Sequence, residues 1–139
     1  MIFYCAGAIR GNTKYQQNYK EIISVVSSLG HTALSELNKN FSSSVPLTDK
    51  EIYKRDIKWL EKSHAIIAEY SGASTGVGFE ISFGLFKLGI PVLALINKNS
   101  ETASALISGC NSNLITIKKY GDSEDLKKII SDFIKKLEK

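Results

Sequence analysis

No apolar run in the chain approaches the length needed to cross a bilayer, so a membrane span is excluded. Cysteine is scarce. Cys5 and Cys110 are the only two, too few for a disulfide framework, and no Cys/His spacing suits zinc. The expectation is two buried thiols in a reducing cytoplasm, with neither metal nor cofactor required. The opening Met1-Ile2-Phe3-Tyr4-Cys5-Ala6 lacks a basic region ahead of its apolar residues and reads as a buried first strand, not a signal peptide. Repeats, low-complexity tracts and linkers are missing as well. A length of 139 residues then suits one core and a single domain over 1–139.

Hydrophobic residues make up 43% of the chain and charged residues 23%, an ordinary globular balance. The net charge of +4 could suggest a nucleic-acid partner. However, Lys127, Lys128, Lys135, Lys136 and Lys139 crowd the last segment, interleaved with Ile129, Ile130, Phe133, Ile134 and Leu137. That is one solvated and one apolar face of a helix, and no basic groove with aromatic platforms is visible. The charge supports attraction for small anions, not for a polymer.

Apolar runs alternate with helix-period segments, the signature of βα units and a parallel sheet. Strands are expected at Ile2 to Ala6, His31 to Leu34, Ala65 to Ala68, Pro91 to Ile96 and Leu114 to Ile117. Helices are expected near 13–29, 48–62, 77–88 and 101–108, with a closing helix from about Ser123. Ser35 to Leu47, rich in Ser and Asn, reads as a mobile loop. Thr48-Asp49-Lys50-Glu51 is a capping box. The fold class is α/β: a single-domain, five-stranded parallel sheet with helices on both faces, Rossmann- or flavodoxin-like. Ligands of such sheets bind beyond the carboxyl ends of the strands. The loops there, Gly7 to Asn12 and Ser71 to Glu80, are rich in small and polar residues.

Ser74-Thr75-Gly76-Val77-Gly78-Phe79-Glu80 places glycines where a strand loop enters a helix, so backbone N–H groups can approach an anion. A dinucleotide fingerprint would need glycine at position 81, which is Ile81, and an acid near position 97, which is Asn97. Gly-Lys-Ser/Thr does not occur. The loop therefore cradles a phosphate other than that of NAD or ATP. Glu80, in the first turn of the helix, is either a solvated acid complementing the helix dipole or a nucleophile toward a sugar carbon. Asp56 is either a surface helix charge or an acid serving the base or sugar. Arg10, in a glycine-flanked loop, can hold a phosphate with both guanidinium edges. Tyr4 is either core or a sugar-facing hydroxyl. His31 and His64 read as structural, and Glu69, closing the third strand, has no assigned role.

Four segments carry a resemblance: Tyr4-Cys5-Ala6-Gly7-Ala8-Ile9-Arg10-Gly11, Asp56-Ile57-Lys58-Trp59-Leu60, Ser74 to Glu80, and Ser104-Ala105-Leu106-Ile107-Ser108-Gly109. In order and spacing they resemble the 2′-deoxynucleoside 5′-phosphate N-hydrolases of the nucleoside 2-deoxyribosyltransferase superfamily, over nearly the whole chain. The resemblance implies that Glu80 attacks C1′ and forms a deoxyribosyl ester, which water then hydrolyses. It implies that Asp56 and Tyr4 shape the sugar site. It assigns phosphate binding to Gly7, Ala8, Ile9, Arg10 and Gly11, to Ser74 and Gly76, and to Ser104. The neighbouring subunit supplies this last group, so a homodimer is implied.

Two positions depart from the pattern: Ala8 replaces a frequent serine, and Ser35-Glu36-Leu37 lacks a frequent histidine. Ser74, six residues before Glu80, stands where the transferases resemble one another in carrying aspartate. A hydroxyl can donate to a phosphate dianion that a carboxylate would repel, which favours phosphorylated substrates and hydrolysis. The alternatives are a base-exchanging 2-deoxyribosyltransferase, a ribonucleoside monophosphate hydrolase of CMP type, a silent nucleotide-binding module and a flavodoxin-like electron carrier.

Overall fold

The structure, a computed structural model, describes residues 1–139. Five strands, β1 (Ile2–Ala6), β2 (Thr32–Leu34), β3 (Ala65–Glu69), β4 (Val92–Asn97) and β5 (Ile115–Tyr120), form one parallel sheet in the order β2-β1-β3-β4-β5. The helices are α1 (Gln16–Ser28), α2 (Asp49–Lys62), α3 (Thr75–Ser82), α4 (Ala105–Ser108) and α5 (Ser123–Leu137). The expected doubly wound architecture is present, and no helix is long and apolar enough to cross a membrane.

Strand alternation divides the core into two layers. Phe3, Cys5, Ile67, Leu93 and Leu95 face α1 and α5, whose Ile22, Val26, Leu126 and Ile130 are fully buried. Tyr4, Ala6, Ile66 and Ala68 point the other way, toward Leu60 of α2 and Val77 and Ile81 of α3. The one-residue phase of β1 thus decides that the Tyr4 side chain emerges on the face carrying Asp56 and Glu80.

Helix boundaries follow local chemistry. Thr48 caps α2 through its side chain, and Glu51 returns the bond to the Thr48 N–H. Ser74 caps α3 by accepting from Val77 N at 3.3 Å. Several elements differ from the sequence reading. The expected helix over 77–88 begins at Thr75, and its second half, Phe83–Leu88, winds as a π-helix. There the missing side chain of Gly84 admits Ile66 (an added Cβ would lie 2.3 Å from Ile66 Cδ1), and Gly89 ends the turn at φ 64°. The expected helix over 101–108 contracts to Ala105–Ser108. β5 runs three residues further, to Tyr120, with Lys118 and Lys119 exposed on the edge strand. The segment expected to be mobile, 35–47, is turn-structured and tethered: Asn38 Nδ2 donates to Ala33 O at 2.8 Å, and Phe41 packs edge-on to Trp59.

Between β1 and β3 the chain changes direction across the sheet, and there the loops beyond both strands open a crevice. They interlock: Asn12 N donates to Ala73 O at 3.0 Å, and a Cβ on Gly11 would lie 2.3 Å from that same oxygen. Glu69 fixes the next pair of loops from below. It is buried, and its carboxylate accepts from Ser71 N at 2.6 Å, Ser71 Oγ at 2.9 Å and the Tyr120 hydroxyl. Ser71 in turn accepts from Asn97 N at 2.7 Å, and its carbonyl takes the hydroxyls of Ser100 and Thr102, each at 2.6 Å. One buried carboxylate thereby ties β3, β4 and β5 to the loops carrying Ser74 and Ser104. Glu69→Ala leaves three buried donors without an acceptor and is expected to lower stability by roughly 3 kcal/mol or more, against about 1 kcal/mol for Tyr120→Phe, as read by urea unfolding.

Candidate active site

The crevice encloses a cavity of about 540 Å³, within the range of small-molecule sites. Gly7, Ile9, Arg10 and Gly11 from the β1 loop line one side, together with Ser74 and Gly76 at the start of α3. Glu36, Asp49, Asp56 and Glu80 line the other. The sequence-predicted residues therefore converge, with three exceptions, of which Tyr4 is buried behind the lining and meets the site only through its bond to Glu80. Ala8 does not line the cavity, and its carbonyl accepts from Gln16 Nε2 at 3.2 Å. Ser104 lies exposed at the start of α4, outside its own chain's cavity, and makes no side-chain capping bond.

The anion end is built from backbone and one cation. The first turn of α3 directs free N–H groups and the positive end of its dipole into the cavity. At Gly76 an added Cβ would meet only Ser74 Oγ, at 3.9 Å, so the backbone is open to close approach. Arg10 stands at the mouth, 75% exposed and 3.5 Å from the equally free Asp49. So exposed a pair contributes little to stability and leaves the guanidinium available to a phosphate.

The acid end is drier. The buried Tyr4 hydroxyl donates to Glu80 Oε2. Burial drives the Glu80 carboxyl up to about 8; the Tyr4 bond and Arg55 pull it down, and Asp56 and Glu36 push it further up. Burial likewise raises Asp56 against the opposing Arg55, and raises Tyr4 with help from both carboxylates. Such perturbed, converging titratable groups mark chemistry more often than architecture. No grouping of three His, Cys, Asp or Glu side chains is spaced to hold a metal ion. Both histidines are architectural: His31 Nδ1 contacts the Met1 ammonium at 2.9 Å, and His64 Nδ1 accepts from Ile2 N at 2.9 Å.

Comparison with known proteins decides the family. The sequence profile described as "Nucleoside 2-deoxyribosyltransferase" matches residues 3–132. The chain belongs to the nucleoside 2-deoxyribosyltransferase family. Among relatives in that family, a Methanosarcina mazei protein named "Putative 2'-deoxynucleoside 5'-phosphate N-hydrolase 1" is 39% identical over 140 residues, covering 96% of this chain and 84% of the relative. The "5-hydroxymethyl-dUMP N-hydrolase" of Esox lucius is 31% identical over 147 residues, covering 99% and 98%. The solved structure of the Clostridium botulinum CMP N-glycosidase shares the deoxyribosyltransferase-family fold at a TM-score of 0.66, with 15% identity, covering 94% and 97%.

Two members of the site were not singled out in the sequence. Glu36 follows β2 and turns into the cavity, and Arg55 lies behind it against Asp56. The adjacency of Arg55 to Asp56 is visible in the chain, but only the packing of α2 against the Glu36 turn shows that the two acids share one cation.

The raised Glu80 carboxyl has a stability consequence. Its proton is held more tightly in the folded than in the unfolded chain, so stability falls as pH rises between about 4.5 and about 8. Glu80→Gln keeps an oxygen acceptor for Tyr4 and loses the titration. The variant is expected to match the native protein's melting temperature near pH 4 and exceed it by roughly 5 °C at pH 9, as measured by calorimetry.

Proposed function

We propose that this protein hydrolyses the N-glycosidic bond of 2′-deoxynucleoside 5′-monophosphates, releasing free base and deoxyribose 5-phosphate. The observation that carries the reading is the division of the cavity: a phosphate cradle of backbone donors and Arg10 faces a desolvated Glu80 bonded to Tyr4 and flanked by Asp56. A nucleotide spans these ends with its sugar between them. The ionised Glu80 oxygen attacks C1′, a bond forms from that oxygen to C1′, and the C1′–N bond breaks. The electron pair leaves on the base nitrogen, which takes a proton from the carboxyl of Asp56. Water then attacks C1′ of the ester and gives its proton to the Asp56 carboxylate, returning Glu80 as a carboxylate. Tyr4, donating to Glu80, steadies its negative charge and crowds the side of the sugar where a 2′-hydroxyl would stand.

The names of the relatives support this reading, since the proteins of Methanosarcina mazei and Esox lucius are called N-hydrolases of deoxynucleotide monophosphates. Ser74 supports hydrolysis over base transfer because its hydroxyl, facing the phosphate end, replaces the aspartate of the transferases. The enzyme works as a homodimer in the cytoplasm. Ser104, outside its own cavity, enters that of the partner, and an exposed apolar surface beside the site supports the pairing. Phe86 is 74% and Leu106 89% exposed, and the partly exposed Phe79 stacks on Phe83. Free Cys5 and Cys110 suit a reducing compartment.

Chromatography of reactions with deoxynucleoside and ribonucleoside monophosphates and their free nucleosides, with and without an acceptor base, tests this function. Base release from deoxynucleoside monophosphates, independent of acceptor, is expected. Formation of a new nucleoside only when acceptor is present would make the protein a transferase instead. Glu80→Ala is expected to abolish turnover while leaving nucleotide binding. Ser74→Asp still caps α3, since aspartate is an equally good cap. Its KM for monophosphates is expected to rise at least about tenfold relative to its KM for nucleosides, the equivalent of about 1.4 kcal/mol. Equal losses for both substrates would break the phosphate assignment.

A further inference from the structure

Behind the acid end of the cavity lies a cation whose surroundings are unusual. The Arg55 guanidinium sits 4.5 Å from the ring centroid of Trp59, and its side chain is only 15% exposed. Its Nε donates to Asp56 Oδ1 at 2.9 Å, whereas Nη2 stops 3.6 Å from Glu36 Oε2, beyond hydrogen-bond reach. Nη1 and Nη2 are out of solvent and have no hydrogen-bond partner. A buried guanidinium with two unsatisfied nitrogens is costly to the fold. Methionine at this position would pack over Trp59 without burying unsatisfied donors.

The charges around it explain its presence. Glu36, Asp56 and Glu80 converge on the inner cavity, while Asp49 and Arg10 balance each other at the mouth. Carboxylates sharing one partly dry crevice oppose one another's ionisation, and a cation among them relieves that opposition. The groups facing Glu80 are the phenol of Tyr4 from β1, Asp56 and Arg55 from α2, and Glu36 from the turn after β2. Of these only Arg55 is positive.

We propose that Arg55 is the positioning residue of this site: its Nε edge orients Asp56, its other edge faces Glu36, and its charge lets Glu80 stand as a carboxylate beside them. The proposal rests on reading Glu80 as the nucleophile, but concerns a residue that does not itself line the cavity. The directions of the electrostatic effects at Glu80, lowered by Arg55 and raised by Glu36, agree with this placement. Lysine would retain the charge and lose the planar fork, so charge and orientation can be separated by substitution.

The test is a carbon-13 NMR titration of the Glu80 carboxyl in the free, full-length protein, run alongside pH profiles of kcat/KM. In Arg55→Met the Glu80 midpoint and the acid limb are expected to move up together by about one pH unit, the size of effect a neighbouring opposite charge exerts. In Glu36→Gln, which removes a negative charge, both are expected to move down. Arg55→Lys is expected to hold the midpoint near that of the native protein but lower kcat, because Asp56 loses its oriented partner. If Arg55→Met does not fold, the downward shift in Glu36→Gln and the split behaviour of Arg55→Lys still decide the matter. A Glu80 midpoint unmoved in Arg55→Met and in Glu36→Gln, or an Arg55→Lys variant with native kcat, would overturn the proposal. The titration needs no turnover, so a native protein that released no base from any monophosphate would sink the hydrolase reading separately.

Discussion

The structure turns on a carboxylate held partly out of water. Glu80 sits where α3 meets the sheet, with the Tyr4 hydroxyl as its donor, and burial holds its proton up to about 8. An acid kept that way is poorly matched to a stable fold, because ionising it costs desolvation energy that the unfolded chain does not incur. It is well matched to attack on a sugar carbon, because a weakly solvated carboxylate has little hydration to shed before it forms a bond. The surrounding groups either deepen that desolvation or offset it.

The fold supplies this environment through one geometric decision. Strand order reverses between β1 and β3, so their loops part and leave a crevice. The side-chain phase of β1 sends Tyr4 to the same face as Asp56 and Glu80. At the other end, the free N–H groups of α3 and the Arg10 loop present positive character to an anion. A cavity positive at one end and acidic at the other suits the nucleotide proposed as substrate, whose phosphate would lie at the positive end. The buried Glu69 network holds the loops at that spacing, and its three hydrogen bonds offset the burial that raises its own carboxyl.

Much of this was legible in the chain. Alternating apolar runs and helix periods specify the layered sheet because strand and helix periodicities differ so sharply. Ser74 and Gly76 could be read because a hydroxyl and an open glycine at the start of a helix have a fixed local meaning, whereas Glu80, expected in the first turn, lies in the second because α3 begins at Thr75. Other features depend on contacts between distant segments. The π-helical turn at Phe83–Leu88 requires Gly84 to meet Ile66, which no local pattern shows. Glu69 reads as an ordinary strand-ending acid until Tyr120, 51 positions later, is brought against it. Arg55 and Glu36 lie in segments whose composition suggests only a charged helix face and a polar loop.

The central claim is that Glu80 becomes covalently attached to the sugar. Acid-quenched reactions with a deoxynucleoside monophosphate, digested and analysed by mass spectrometry, test it most directly. The account predicts a peptide containing Glu80 that carries the added mass of one deoxyribose 5-phosphate unit, appearing during turnover and vanishing as substrate is exhausted. Base release with every peptide unmodified at all quench times, or an adduct on a peptide lacking Glu80, would contradict it.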